Sequence, residues 1–234
     1  MPDLSLCPLI VPPTLGLTTL SPTRARILPT FASLLAKDWP NNRTINIVCQ
    51  NHSVPAGYFL TPMVDSFNAY PHLLHQQLKR RFPHAVVNVI VTAIGDENSE
   101  QGAARFATDV LTHRADLVTL DYALNDRHIG LGRARVAWSA MIEHAQGRHV
   151  PLMLLTPTAD STANLADPAD PLNEHASLVR TLAAEYQVAL VDSLATFSAH
   201  AQAGRPLDEL LSQFNHPNRA GHELVVHEFL KWFP

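Results

Sequence analysis

The sequence is short of charge. Only 16% of its 234 residues are Asp, Glu, Lys or Arg, against about 25% in an average globular chain. A net charge of −4 and a pI near 6.3 leave no electrostatic footprint for DNA or RNA, which shows as Lys and Arg clustered on one face. The densest basic cluster, Lys79-Arg80-Arg81, reads as a solvated helix end where cations complement the dipole. Two cysteines, Cys7 and Cys49, make no disulfide framework, and no CxxC or Cys/His zinc spacing exists. No apolar run approaches the roughly 20 residues of a membrane span. The N-terminus has no basic residue before Arg24 and is broken by Pro2, Pro8, Pro12 and Pro13, so it does not read as a signal peptide. A cytoplasmic protein that meets neither nucleic acid nor membrane is the expectation. Glycine is scarce as well, nine residues against 18 prolines.

What the chain does have is alternation of two periods. Short β-branched apolar runs, 44–49, 85–93, 116–122, 150–156 and 188–192, alternate with stretches of helical spacing. The runs are almost continuously apolar, as parallel strands covered on both faces are. Between them lie helical stripes: Leu74, Leu78 and Phe82; Ala103, Phe106, Ala107, Val110 and Leu111; Val136, Ala140, Met141 and His144; Leu172, Ala176, Val179, Leu182, Ala183 and Tyr186; and Val226, Phe229, Leu230 and Phe233. The expected fold is α/β: a flavodoxin-like three-layer α/β/α sandwich with a five-stranded parallel sheet. Residues 1–43 read as an arm and a helix, opened by Ser21-Pro22 and broken near Pro29, packed on a domain of residues 44–234. Residues 157–171 form a long polar connection past a strand end, where loops of that length are usually functional.

Ligands of open parallel sheets sit past the carboxyl ends of strands. Four polar segments lie at such junctions or near the C-terminus: Gln50-Asn51-His52-Ser53, Ile94-Gly95-Asp96-Glu97, Leu124-Asn125-Asp126-Arg127, and Asn215-His216-Pro217-Asn218. In order and spacing they resemble the four blocks of the SGNH (GDSL-type) serine hydrolases, over residues 44–233. The resemblance implies an esterase with no metal or organic cofactor, acting on a small-molecule ester, with Ser53 as nucleophile and His216 as general base. It also maps an oxyanion hole onto Ser53, Gly95 and Asn125.

The chemistry fits that mapping independently. A serine hydroxyl needs a positioned base, and histidine alone has an unperturbed pKa near neutrality. An oxyanion needs preorganised donors, each worth roughly 2.7–4 kcal/mol. Arg127, just after the third block, is a potential substrate contact. Rival motifs fail: Gly130-Leu131-Gly132 lacks the third glycine of a dinucleotide fingerprint, and no P-loop occurs.

Two positions depart from the family. The first block normally reads Gly-Asp-Ser, and Asn51 and His52 stand in for the first two residues. Asn tolerates left-handed backbone, so the turn can survive, and His52 either contacts substrate or points to solvent. The family's triad acid lies three residues before the base, and that position is Gln213. Exchanging the acid for its amide costs ~10⁴ in kcat in a serine protease, through the wrong tautomer. Three outcomes follow: His216 is oriented by Gln213 or by a backbone carbonyl, another carboxylate (Asp192, Asp208 or Glu209) takes the acid's place, or the chain is a weak or inactive binding module.

Overall fold

The computed structural model describes residues 31–233. Strands β1 (Thr44–Asn51), β2 (Val86–Val91), β3 (Leu117–Asp121), β4 (Leu152–Leu155) and β5 (Ala189–Val191) form one sheet in the order β2-β1-β3-β4-β5, every pair parallel. Strand order reverses between β1 and β3, which opens a crevice at their carboxyl ends. Apolar side chains on both faces of each strand explain the unbroken runs. Ile45, Ile47 and Cys49 of β1 pack into one core with Met153 and Leu155 of β4, while Val48, Val118, Leu152 and Leu154 pack into the other.

Helices α1 (Ser53–Ala56), α2 (Tyr70–Arg81), α3 (Ser99–Asp109), α4 (Ala123–Asp126), α5 (Leu131–Gly147), α6 (Pro171–Glu185), α7 (Ser193–Gln202) and α8 (Arg219–Leu230) complete the layers. Of these, α2, α7 and α8 cover the first core, and α3, α5 and α6 the second. Their starts follow local chemistry: Asn98 and Gln101 close a capping box on α3, and Asp170 caps α6 ahead of Pro171. At the other end of α2 the Lys79 ammonium donates to the carbonyls of Pro83 and Ala85, consistent with its dipole role.

Three expectations need adjusting. The stripe read on α5 is out of phase: Val136 is exposed, and the buried face is Ala134, Ala137, Trp138, Met141, Ile142 and Ala145. The bulky indole sets that phase, and its N–H donates to buried Asp126 over 2.7 Å. The apolar runs also overshoot, since β2 and β5 stop short of 85–93 and 188–192 at both ends. Finally, a small antiparallel hairpin, β6 (Leu211–Gln213) with β7 (His216–Pro217), arises from polar sequence without strand periodicity. Residues 31–35 are helical and bury Phe31 and Leu35; the rest of the expected arm and opening helix lies outside the described residues. Among the described residues no helix is long and apolar enough to cross a membrane.

Helix α8 docks through a histidine. His222 is fully buried, its Nδ1 accepts the Tyr70 N–H at 3.1 Å, and its ring lies 5.4 Å from that of Phe59 and 6.2 Å from that of Tyr70. Burial lowers its pKa from 6.5 to about 3. An unfolded chain therefore takes up this proton first, and the associated stability is complete above pH 6.5 and lost as pH falls toward 3. At pH 5 the loss from this one group is roughly 2 kcal/mol. Urea unfolding at pH 7 and pH 5 should show that drop in the wild type and a smaller one in His222→Asn, which keeps an acceptor for Tyr70. An equal drop in both proteins would refute the assignment.

Candidate active site

Strand β1 delivers the first block into the crevice. Asn51 is still extended within β1, buried, with its Nδ2 donating to the Tyr70 hydroxyl at 2.9 Å. The left-handed turn expected of it is therefore not needed here. His52, not Ser53, is the N-cap of α1: its Nδ1 accepts the Val54 N–H at 3.3 Å. His52 is 1% exposed, which corrects the reading of it as a substrate contact or a solvent-facing side chain. The cause is the sheet: a side chain at the end of central β1 is covered on all sides. The short helix ends at Gly57, whose φ of 96° and closeness to Ser66 (2.7 Å from its Cα to a would-be Cβ) exclude other residues.

Ser53 opens α1, and its Oγ lies 3.2 Å from Nε2 of His216 on β7. The other imidazole nitrogen, Nδ1, is 3.1 Å from the Phe59 carbonyl. A carbonyl only accepts, so Nδ1 carries the proton and Nε2 presents its lone pair to the serine. Burial holds the His216 pKa below 6.5; the Phe59 carbonyl opposes that shift and His52 adds to it. The base is thus neutral and ready near neutral pH.

The Gln213 side chain makes no hydrogen bond to the His216 ring. Although the two face each other across the hairpin, the Gln213 Oε1 accepts the Thr61 N–H at 2.9 Å. The amide braces the loop that carries Phe59, and so bears on the base at one remove. The alternative carboxylates are engaged elsewhere: Asp192 pairs with Arg180 and Thr156, Glu209 lies beside His200 and Arg205, and Asp208 is exposed.

The residues mapped as oxyanion donors follow β1, β2 and β3 in turn. The N–H groups of Ser53 and Gly95 have no acceptor among the described residues, as expected of a helix start and an open turn. Asn125, at the start of α4, donates one amide hydrogen to the Glu97 carbonyl at 2.9 Å, which orients its amide and leaves the other hydrogen unused. A Cβ on Gly95 would rest against the Tyr58 ring at 3.4 Å, ordinary contact, so space alone does not demand glycine there. Further bonds tie the blocks together. Asp126 accepts from Ser99 N–H at 2.8 Å, and Glu97 pairs with Arg105 and accepts from the Tyr122 hydroxyl. Arg127 is committed to Asp160, at 2.7 Å, and to the Leu124 carbonyl, and thereby pins the start of the 157–171 connection.

The backbone carbonyl expected as one alternative behind His216 is that of Phe59; His222 against the Phe59 ring and Asp121 behind His52 leave less trace in the sequence. Only Asp121 left a signal, as a carboxylate closing an apolar strand beside the crevice. Among the described residues no group of three His, Cys, Asp or Glu side chains is arranged to hold a metal ion.

Known proteins share this fold. Two similar solved structures are the acetylxylan esterase Axe2 from Geobacillus stearothermophilus (18% identity, 81% of this chain and 94% of that one, TM-score 0.70), and a putative lipolytic protein of the G-D-S-L family from Desulfitobacterium hafniense DCB-2 (18% identity, 80% and 98%, TM-score 0.62). At those identities they establish the fold. No curated protein matches the sequence significantly. The profile of the GDSL-like lipase/acylhydrolase family matches residues 52–224, a span that runs from His52 and Ser53 of the first block through the whole of the last, and the chain belongs to that family of ester-bond hydrolases.

Proposed function

We propose that the protein is a serine esterase for small acyl esters, carbohydrate O-acetyl groups among them, working through an acyl-enzyme on Ser53. The observation that carries this is the contact of Ser53 Oγ with a histidine whose tautomer is set for base catalysis by the Phe59 carbonyl. Ser53 attacks the ester carbonyl carbon as His216 Nε2 takes its proton. The oxyanion is held by the N–H groups of Ser53 and Gly95 and by the Asn125 amide. His216 then protonates the departing alkoxide, and a water molecule, activated by the same nitrogen, releases the acid.

The size of the acyl group is suggested by Tyr58. Its ring stands against Gly95 and 6.1 Å from the His216 ring, a wall close to the nucleophile that favours short chains. The acetylxylan esterase activity named for the Geobacillus relative supports an acetylated sugar as the substrate class.

Wild-type protein should hydrolyse p-nitrophenyl acetate and be labelled on Ser53 by a fluorophosphonate, and Ser53→Ala should do neither. Equal rates in the two proteins would refute the proposal, and an unlabelled but folded wild type would favour a binding module. Because His216 must be neutral to act and burial depresses its pKa, kcat/KM should fall on the acid side with a midpoint below 6.5; a midpoint at or above that value contradicts the assignment. Gln213→Ala should lower kcat roughly five- to tenfold, the effect of a hydrogen bond worth about 1 kcal/mol, with little change in KM. Gln213→Glu, which keeps an acceptor for Thr61, should retain most of the rate. A Glu variant as slow as the Ala variant would show that the loop brace is not the reason.

A further inference from the structure

Ser53 has a second imidazole beside it. His52 Nδ1 lies 3.5 Å from Ser53 Oγ, and the far side of the same ring, Nε2, lies 3.5 Å from Oδ1 of Asp121. Neither Nε2 nor that oxygen has a hydrogen-bond partner, although His52 is 1% and Asp121 2% exposed. Buried polar atoms are rarely left so, and two of them facing each other call for a reason. The Val54 N–H, at 3.3 Å, keeps the lone pair of Nδ1 on the side of the helix start, and so the ring proton is on Nε2, toward the carboxylate. Asp121 sits at the end of β3, in register with Asn51 at the end of β1. Backbone pairing in the sheet therefore fixes the distance between the carboxylate and the first block.

We propose that His52 and Asp121 form a second proton relay to Ser53, one that takes the serine proton on the buried side when the leaving group departs as a stable anion and returns it to Oγ when the acyl bond breaks; when the leaving group is an alkoxide, His216 takes the serine proton and passes it to that oxygen, and His216 alone activates the attacking water. The proposal rests on the esterase reading above. In the step assigned to the relay, the Ser53 O–H bond breaks and its proton moves to His52 Nδ1, displacing the Val54 contact. Oγ forms the bond to the carbonyl carbon, and the imidazolium so made directs Nε2–H at the Asp121 carboxylate. Collapse of the tetrahedral adduct breaks the bond to the leaving oxygen. A p-nitrophenolate departs as a stable anion and needs no proton; an alkoxide needs one, and buried His52 cannot deliver it. His216, at 3.2 Å and on the open side, can. The carboxylate that family members place behind the base of the last block thus reaches this serine from the opposite side.

The test separates acylation from turnover. His216→Ala, treated with p-nitrophenyl acetate, should release close to one equivalent of p-nitrophenolate and keep the acetyl group on Ser53, seen by intact mass and peptide mapping, more slowly than the wild type acylates. Adding His52→Asn, which preserves a good N-cap acceptor, should slow Ser53 acetylation at least tenfold further, and adding Asp121→Asn to His216→Ala should do the same. Far-UV circular dichroism and thermal midpoints identify which variants fold, and either double variant suffices. The relay is overturned if His216→Ala leaves Ser53 unacetylated, or if a folded double variant acetylates as fast as His216→Ala alone. Wild type against Ser53→Ala in the same assay reports the esterase reading separately: activity there, with no effect of His52 or Asp121, removes the relay and keeps the esterase.

Discussion

The hydrogen bond from His216 Nδ1 to the Phe59 carbonyl determines which nitrogen of the imidazole faces the nucleophile, and the rest of the site is organised around keeping it. A carboxylate behind a histidine does two things: it selects the tautomer and it compensates the positive charge that forms. A carbonyl performs the first without ambiguity, because it cannot donate, and the second only through its dipole. Selecting the tautomer is the larger requirement, since a base that presents N–H to the serine is no base. The side-chain amide of Gln213, which could have both donated and accepted, is directed away to Thr61.

A backbone acceptor is only as well placed as the loop that carries it. Phe59 is held by four kinds of contact: its N–H donates to Met63 at 3.1 Å, the neighbouring Tyr58 bridges to Val64, its ring lies against buried His222, and Gln213 secures Thr61 two residues on. Helix α8 and the β6–β7 hairpin therefore act on the His216 contact through geometry alone. They come from the last stretch of the chain, yet they position a carbonyl that follows the first strand.

On the opposite side, the serine backs onto a group of buried polar side chains. Gln50, Asn51, His52, Thr119 and Asp121 are all covered at the ends of β1 and β3, where the strand order reverses. Polar groups at that depth cost stability unless they are paired, and Gln50 and Asn51 each use only their amide nitrogens. Stitches between loops, Asn125 to Glu97 and Ser99 to Asp126, join the second and third blocks to each other.

Much of this was legible in the chain. The five apolar runs became the five parallel strands because burial on both faces leaves a mark that does not depend on distant contacts, and the caps at Asn98 and Asp170 are equally local. The first three blocks follow β1, β2 and β3, whose order the sheet dictates, so the second and third meet through the Asn125 bond to the Glu97 carbonyl, and His216 reaches Ser53 from the hairpin. The α5 phase was misread because Ala and Val stripes compete on one helix, and only the Trp138 bond to Asp126 selects between them. The partners of His216 and His52 were illegible for a deeper reason. A carbonyl has no letter in the sequence, and Asp121 differs from any other aspartate only in what β1 brings beside it. Sequence by itself determined the family and the fold, through the order of its motifs, residue chemistry and periodicity. Tertiary structure decided which acceptor faces which nitrogen, because hydrogen bonds act over about 3 Å and only packing brings residues far apart in the chain within that distance.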